Sequence, residues 1–119
     1  MTQWNGMRPE ILQNLADIVA AGNEIILLGG LDGEYYRSSR RDALAIERLF
    51  EIAGEALIRI RDQDMAVFES ITSAPQIVGF RNVLAHGYDQ VDPERVVAII
   101  RNWLPQLIED VRNLAPGKL

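Results

Sequence analysis

The sequence predicts an all-α protein, an up-and-down bundle of four to five helices over residues 1–119 as a single domain. Two observations carry this. Apolar residues recur at three- and four-residue steps over long segments, and proline or capping residues stand where those segments begin. No stretch alternates as a half-buried strand would, and no repeat or low-complexity linker divides the chain.

The first helix is predicted from about Pro9 to Leu28. Ile11, Leu15, Ile18, Gly22 and Ile25 form one stripe, which Leu12, Val19 and Ile26 widen. Pro9 suits the first turn, where its missing N–H costs nothing. The run from Gly29 to Gly33 then breaks the helix into a turn.

Ser39 and Asp42 open a second helix with a capping-box spacing. Its buried stripe is Ile46, Leu49, Phe50, Ala53, Leu57 and Ile60, and Gly54 within it marks a close helix–helix approach. This helix fades near Asp64, and Met65 to Ile71 makes a short helical turn. A third helix starts at Pro75 and runs to Ala85 or His86, with Gly87 as its left-handed stop. Asp92 and Pro93 start the fourth, whose apolar side holds Val96, Ile99, Ile100, Trp103, Leu107, Val111 and Leu114. Pro105 interrupts that pattern and is expected to kink the helix.

Composition narrows the function. The chain has no cysteine, which removes disulfide frameworks and Cys-based zinc sites, and its single histidine argues against a His-rich metal centre. Met1 to Glu10 lacks the pattern of an export sequence, and the apolar run Ile25 to Leu28 is too short to span a bilayer, so a cytoplasmic protein is expected. The formal net charge of -5 argues against a general nucleic-acid coat. Of 12 basic residues only Lys118 is lysine. Four of the arginines, Arg37, Arg40, Arg41 and Arg48, lie close together, and the simple reading is a solvated helix start paired with Glu34, Asp42, Glu47 and Glu51.

The segment Arg81 to Tyr88 contains the only histidine, His86, five residues after Arg81 and two before Tyr88. An imidazole beside a guanidinium moves protons and holds a phosphate, the two tasks of metal-free RNA cleavage. On a straight helix, however, Arg81 and His86 stand about 140° apart with a rise near 7.5 Å. Asn82 and His86, four apart, share a face. Arg81 and His86 therefore act together only if the helix ends near His86 or if two subunits combine their residues. Attack by a ribose 2′-hydroxyl also needs one proton taken and another given, and a symmetric dimer brings two histidines to one cleft.

A structural reading stands beside this one. A histidine before a helix-ending glycine often only bonds the last carbonyls, and Arg81 suits a salt bridge to Glu55 or Asp89 equally well. Two other classes remain open. One is a non-catalytic helical dimer that binds a nucleotide or a partner protein through the same groove. The other is a metal-dependent hydrolase using Glu47, Glu51 and Glu55, which share one helix face without a second ligand-rich segment.

The surroundings carry a resemblance over nearly the whole chain. Ala45 to Arg48 with Ile52 to Glu55, then Gly79 to Tyr88 with Val91 and Asp92, and Trp103 to Pro105 resemble the HepT-like toxin branch (also known as DUF86) of the HEPN superfamily. Residues 81–88 correspond to its RX4HXY motif. The resemblance implies a homodimer with metal-independent endoribonuclease activity at the dimer cleft, needing no cofactor, and the acidic net charge points to a defined structured RNA such as tRNA as its substrate. It casts Arg81 and His86 as the catalytic pair, Asn82 and Glu55 as supporting residues, and Tyr88 as a modification site. A minimal nucleotidyltransferase (MNT) antitoxin is the implied partner, transferring AMP onto that tyrosine.

Overall fold

The computed structural model describes residues 7–29, 34–86 and 91–119. Among these residues all regular structure is helical, in seven segments: α1 (Pro9–Gly29), α2 (Glu34–Ser38), α3 (Arg40–Gln63), α4 (Met65–Glu69), α5 (Ala74–His86), α6 (Pro93–Asn102) and α7 (Leu104–Leu114). The architecture is the all-α bundle that the periodicity predicts and that the resemblance to the HEPN superfamily implies.

The two longest helices, α1 and α3, pack against each other along their lengths, with α7 on α1 and α5 on α3. Leu15, Ile18 and Ile25 of α1 are fully buried with Ile46, Phe50, Leu57 and Ile60 of α3. Each such side chain contributes roughly 1.5–3 kcal/mol by leaving water. Although α1 is long and apolar enough to cross a membrane, this stripe makes it a core helix of the bundle. Its one buried polar side chain, Asn14, accepts a 3.0 Å hydrogen bond from Arg59 Nε on α3, so the polarity inside that face is satisfied. At Gly22 a β-carbon would come within 2.9 Å of Ile108, so a glycine there lets α7 approach α1.

Several boundaries have visible causes. Ser39 caps α3, its Oγ accepting from the Asp42 N–H at 3.2 Å, which is the forward half of the expected box. Asp64 ends α3 and caps α4 through a 3.2 Å bond from the Val67 N–H, so one residue closes one helix and opens the next. Asp92 caps α6 with Pro93 in the first turn, as expected.

The structure departs from expectation at four places. The fourth helix is broken, not merely kinked: α6 ends at Asn102, Trp103 forms the junction, and Pro105 lies in the first turn of α7. The cause is the missing Pro105 N–H, which leaves the ladder nothing to continue with at that point. The single turn α2 is absent from the periodicity because five residues are too few to show a stripe. Gly29 is the last residue of α1 and not a turn residue; the rest of the glycine-rich turn, and the Gly87 stop, lie outside the described residues. The third helix begins at Ala74, a residue earlier than Pro75.

Candidate functional site

α5 presents the candidate residues. Its inner face, Ala74, Ile77, Val78 and Phe80, is buried, and Phe80 meets Phe50 of α3 edge to face with ring centroids 5.1 Å apart. That contact fixes the rotation of α5 and brings the next residue, Arg81, to the α3 seam.

The Arg81 stem crosses Gly54. A β-carbon at position 54 would lie 2.6 Å from Arg81 Cγ, so the expected close approach occurs here, and it is made by the arginine itself. Beyond the stem, Nη1 donates to Asn82 Oδ1 at 3.2 Å, and Nη2 stands 3.8 Å from Glu55 Oε1. Nε is buried and has no hydrogen-bond partner among the described residues. Buried donors are nearly always paired, and an orphan is a sign of strain or of a missing ligand. The Arg81 side chain is 26% exposed, so the guanidinium is half-sheltered at the rim of the seam.

Glu55 is shared. The same Oε1 lies 3.7 Å from Arg48 Nη1, and Glu51 lies 3.6 Å from that Nη1. All of these contacts exceed hydrogen-bond length. The salt bridge to Glu55 that the sequence offered as a structural alternative for Arg81 is therefore present, in a loose form. Asp89 lies outside the described residues.

His86 is the last residue of α5 and is exposed. Because α5 stays helical from Arg81 through His86, the offset of about 140° between them applies. Within one chain Arg81 is turned to α3 and the imidazole stands on another side of the helix. Asn82, also exposed, links the two as a neighbour of Arg81 on the face of His86. Tyr88, the expected modification site, lies outside the described residues.

The arginine group at the start of α3 pairs differently from expectation. Arg48 does meet Glu51, but Arg37 reaches across to α6 and holds Glu94 through bonds of 2.7, 2.7 and 3.0 Å. Glu47 instead accepts a 2.7 Å hydrogen bond from the buried Tyr36 hydroxyl. Burial, then that bond and the carboxylate's charge, push the Tyr36 phenol well above its ordinary range. Arg40 and Arg41 are exposed. The carboxylates considered as metal ligands are thus divided: Glu47 serves Tyr36, while Glu51 and Glu55 face arginines. Among the described residues no group of three His, Asp or Glu side chains gathers as a metal site.

Sequence reasoning missed the link from Arg48 to Glu55. The signal was available, because seven residues make two helical turns and return to nearly the same face.

No curated protein and no solved structure matches this chain. Residues 11–114, which include every described residue of this site, match the model of the ribonuclease HepT-like family, and the chain belongs to that family.

Proposed function

We propose that this chain, as one HEPN-like domain, is the metal-independent endoribonuclease toxin of a toxin–antitoxin pair. The active unit is a homodimer whose cleft is built by Arg81 and His86 of both copies. One imidazole takes the proton of a ribose 2′-hydroxyl as its oxygen bonds to the adjacent phosphorus. The P–O5′ bond then breaks, and the second imidazole, entering protonated, gives its proton to the leaving oxygen. Arg81 stabilises the negative charge on the phosphorus-centred transition state.

The observation that carries this reading is the state of Arg81. A guanidinium serving only the fold would be expected to fill its buried donor and hold its carboxylate tightly, as Arg37 holds Glu94. Arg81 instead keeps an Nε that is unpaired among the described residues and a 3.8 Å separation from Glu55, on the same helix as the exposed His86, in a chain of the ribonuclease HepT-like family. Asn82 and Glu55 are supporting residues that orient Arg81. The divergence of Arg81 and His86 on one helix favours pooling residues from two copies. Gly79 supports the same arrangement: it is exposed, two turns before His86, and a β-carbon there would meet nothing within 4 Å among the described residues. A glycine without any packing reason inside its own chain lowers helix stability by about 1 kcal/mol, a cost that close approach of a second α5 would explain.

Neutralisation falls to a minimal nucleotidyltransferase antitoxin. The Tyr88 hydroxyl attacks the α-phosphorus of ATP, pyrophosphate leaves, and the tyrosine carries AMP. Both reactions belong to the cytoplasm and need no membrane.

The test is cleavage of total RNA and of tRNA in excess chelator. The parent cleaves, whereas His86→Ala and Arg81→Ala are inactive with unchanged helical content and dimer mass. A His86→Ala protein as active as the parent would remove the assignment. Absence of cleavage by the parent, with retained binding to a nucleotidyltransferase, would instead favour the non-catalytic dimer, to which the net charge of -5 is better suited.

A further inference from the structure

Arg48 stands beside the proposed centre without a role in it. Its Nη1 is 3.6 Å from Glu51 and 3.7 Å from the Glu55 oxygen that also faces Arg81, and its side chain is 60% exposed. One carboxylate thus lies between two guanidiniums and is hydrogen-bonded by neither. Arg37, by contrast, is fastened to Glu94 at 2.7 Å. A guanidinium held only at 3.6 to 3.7 Å keeps its donors available, and its planar fork suits a phosphate better than a distant carboxylate.

The position of Arg48 along the bundle matters as much as its charge. The Arg61 guanidinium of α3 lies over the Phe68 ring of α4 at 5.9 Å, so the chain folds back there before entering α5 at Ala74. Seven residues later Arg81 rests on Gly54, which is seven residues before Arg61. α5 therefore runs antiparallel to α3. Five more residues, about 7.5 Å of helix, carry His86 to the level of Leu49, next to Arg48. Arg48 is thus rooted at the His86 end of the His86–Arg81 span, and its guanidinium reaches along α3 to the Glu55 oxygen that Arg81 also faces.

We propose that Arg48 binds RNA, its guanidinium taking a backbone phosphate that flanks the scissile one, and that Glu55 is the shared counter-ion which Arg48 and Arg81 both relinquish when RNA arrives. This rests on the ribonuclease reading of Arg81 and His86. It also explains how an acidic protein binds a polyanion: two cations are stored against one internal carboxylate and released in place.

The experiment is binding of a fluorescent, 2′-O-methylated single-stranded RNA to the full chain, followed by anisotropy from about 50 to 300 mM salt. Arg48→Gln is expected to weaken binding about tenfold and to reduce the slope of log K against log salt by about 0.7, one phosphate contact on a single strand. Arg48→Lys keeps the charge and recovers most of both. On cleavable RNA, Arg48→Gln raises KM with kcat held within about twofold, as loss of uniform binding requires. Parental affinity and slope in Arg48→Gln would overturn the proposal while leaving the inactivity of Arg81→Ala and His86→Ala to uphold the ribonuclease reading. An unchanged slope without rescue by lysine, or a fall in kcat alone, would make Arg48 a structural residue and overturn it as well. A parent that neither binds nor cleaves RNA overturns both.

Discussion

The side chain of Arg81 lies directly on Gly54: a β-carbon at position 54 would stand 2.6 Å from Arg81 Cγ. The proposed catalytic arginine is therefore placed by a missing side chain on the opposite helix. Any group added at position 54 moves the root of the arginine stem, which cannot swing aside as a side-chain tip would.

Gly54→Ala measures that dependence. Alanine gains about 1 kcal/mol of helix propensity, but overpacking against the Arg81 stem costs about 1–3 kcal/mol. A net loss of about 1 kcal/mol in urea unfolding is expected, together with a loss of RNA cleavage larger than the fraction unfolded explains. Full activity in a stable Gly54→Ala protein would show that Arg81 does not need its seat.

Gly79→Leu gives the opposite result for the isolated chain. Space is open around position 79, so the monomer keeps its fold and gains up to about 1 kcal/mol from helix propensity. The added side chain obstructs a second α5, so sedimentation should show a monomer and cleavage should fall with it. A Gly79→Leu dimer with parental activity would place the interface on another face.

Glu55→Gln removes the charge between Arg48 and Arg81. Partly exposed ion pairs contribute roughly 0–1 kcal/mol, so thermal unfolding should change little. RNA binding should tighten by about threefold or more, because phosphate no longer competes with a carboxylate for two guanidiniums. Weaker binding would instead make orientation of Arg81 the main task of Glu55.

Tyr36 predicts an alkaline limit. Its phenol is raised in the folded chain by burial first, then by the hydrogen bond to Glu47 and by that carboxylate's charge. Above about pH 10 the unfolded tyrosine releases a proton that the folded one retains, so the unfolded state binds fewer protons and stability falls with rising pH. The contribution is full below that pH and is lost on rising through the folded value. Chemical unfolding between about pH 9 and 11 should show this decline in the parent and a flatter profile in Tyr36→Phe. Equal slopes would remove Tyr36 as the cause.

Much of this was legible in the chain. Helix faces followed from spacing, and Ser39, Asp92 and Pro93 announced their helices because capping involves residues no more than three positions apart. Gly54 announced a close approach, and residues 81–86 announced the candidate chemistry. These signals are local or compositional, and one helix suffices to display them. The junction at Trp103 was half legible: Pro105 marked the weak point, but not whether the helix would bend or break.

What the sequence determined by itself was where the long helical stretches lie and which face of each seeks the core. Only the tertiary structure decided partners: that Arg37 takes Glu94 at a separation of 57 residues, that Glu47 answers Tyr36, and that Arg81 rests on Gly54 with Glu55 loosely before it. The physical reason is that hydrophobic periodicity is non-directional and identifies a surface without naming its mate. Ion pairs and close contacts depend on helix rotation and register, and these were set here by contacts such as Phe50 against Phe80.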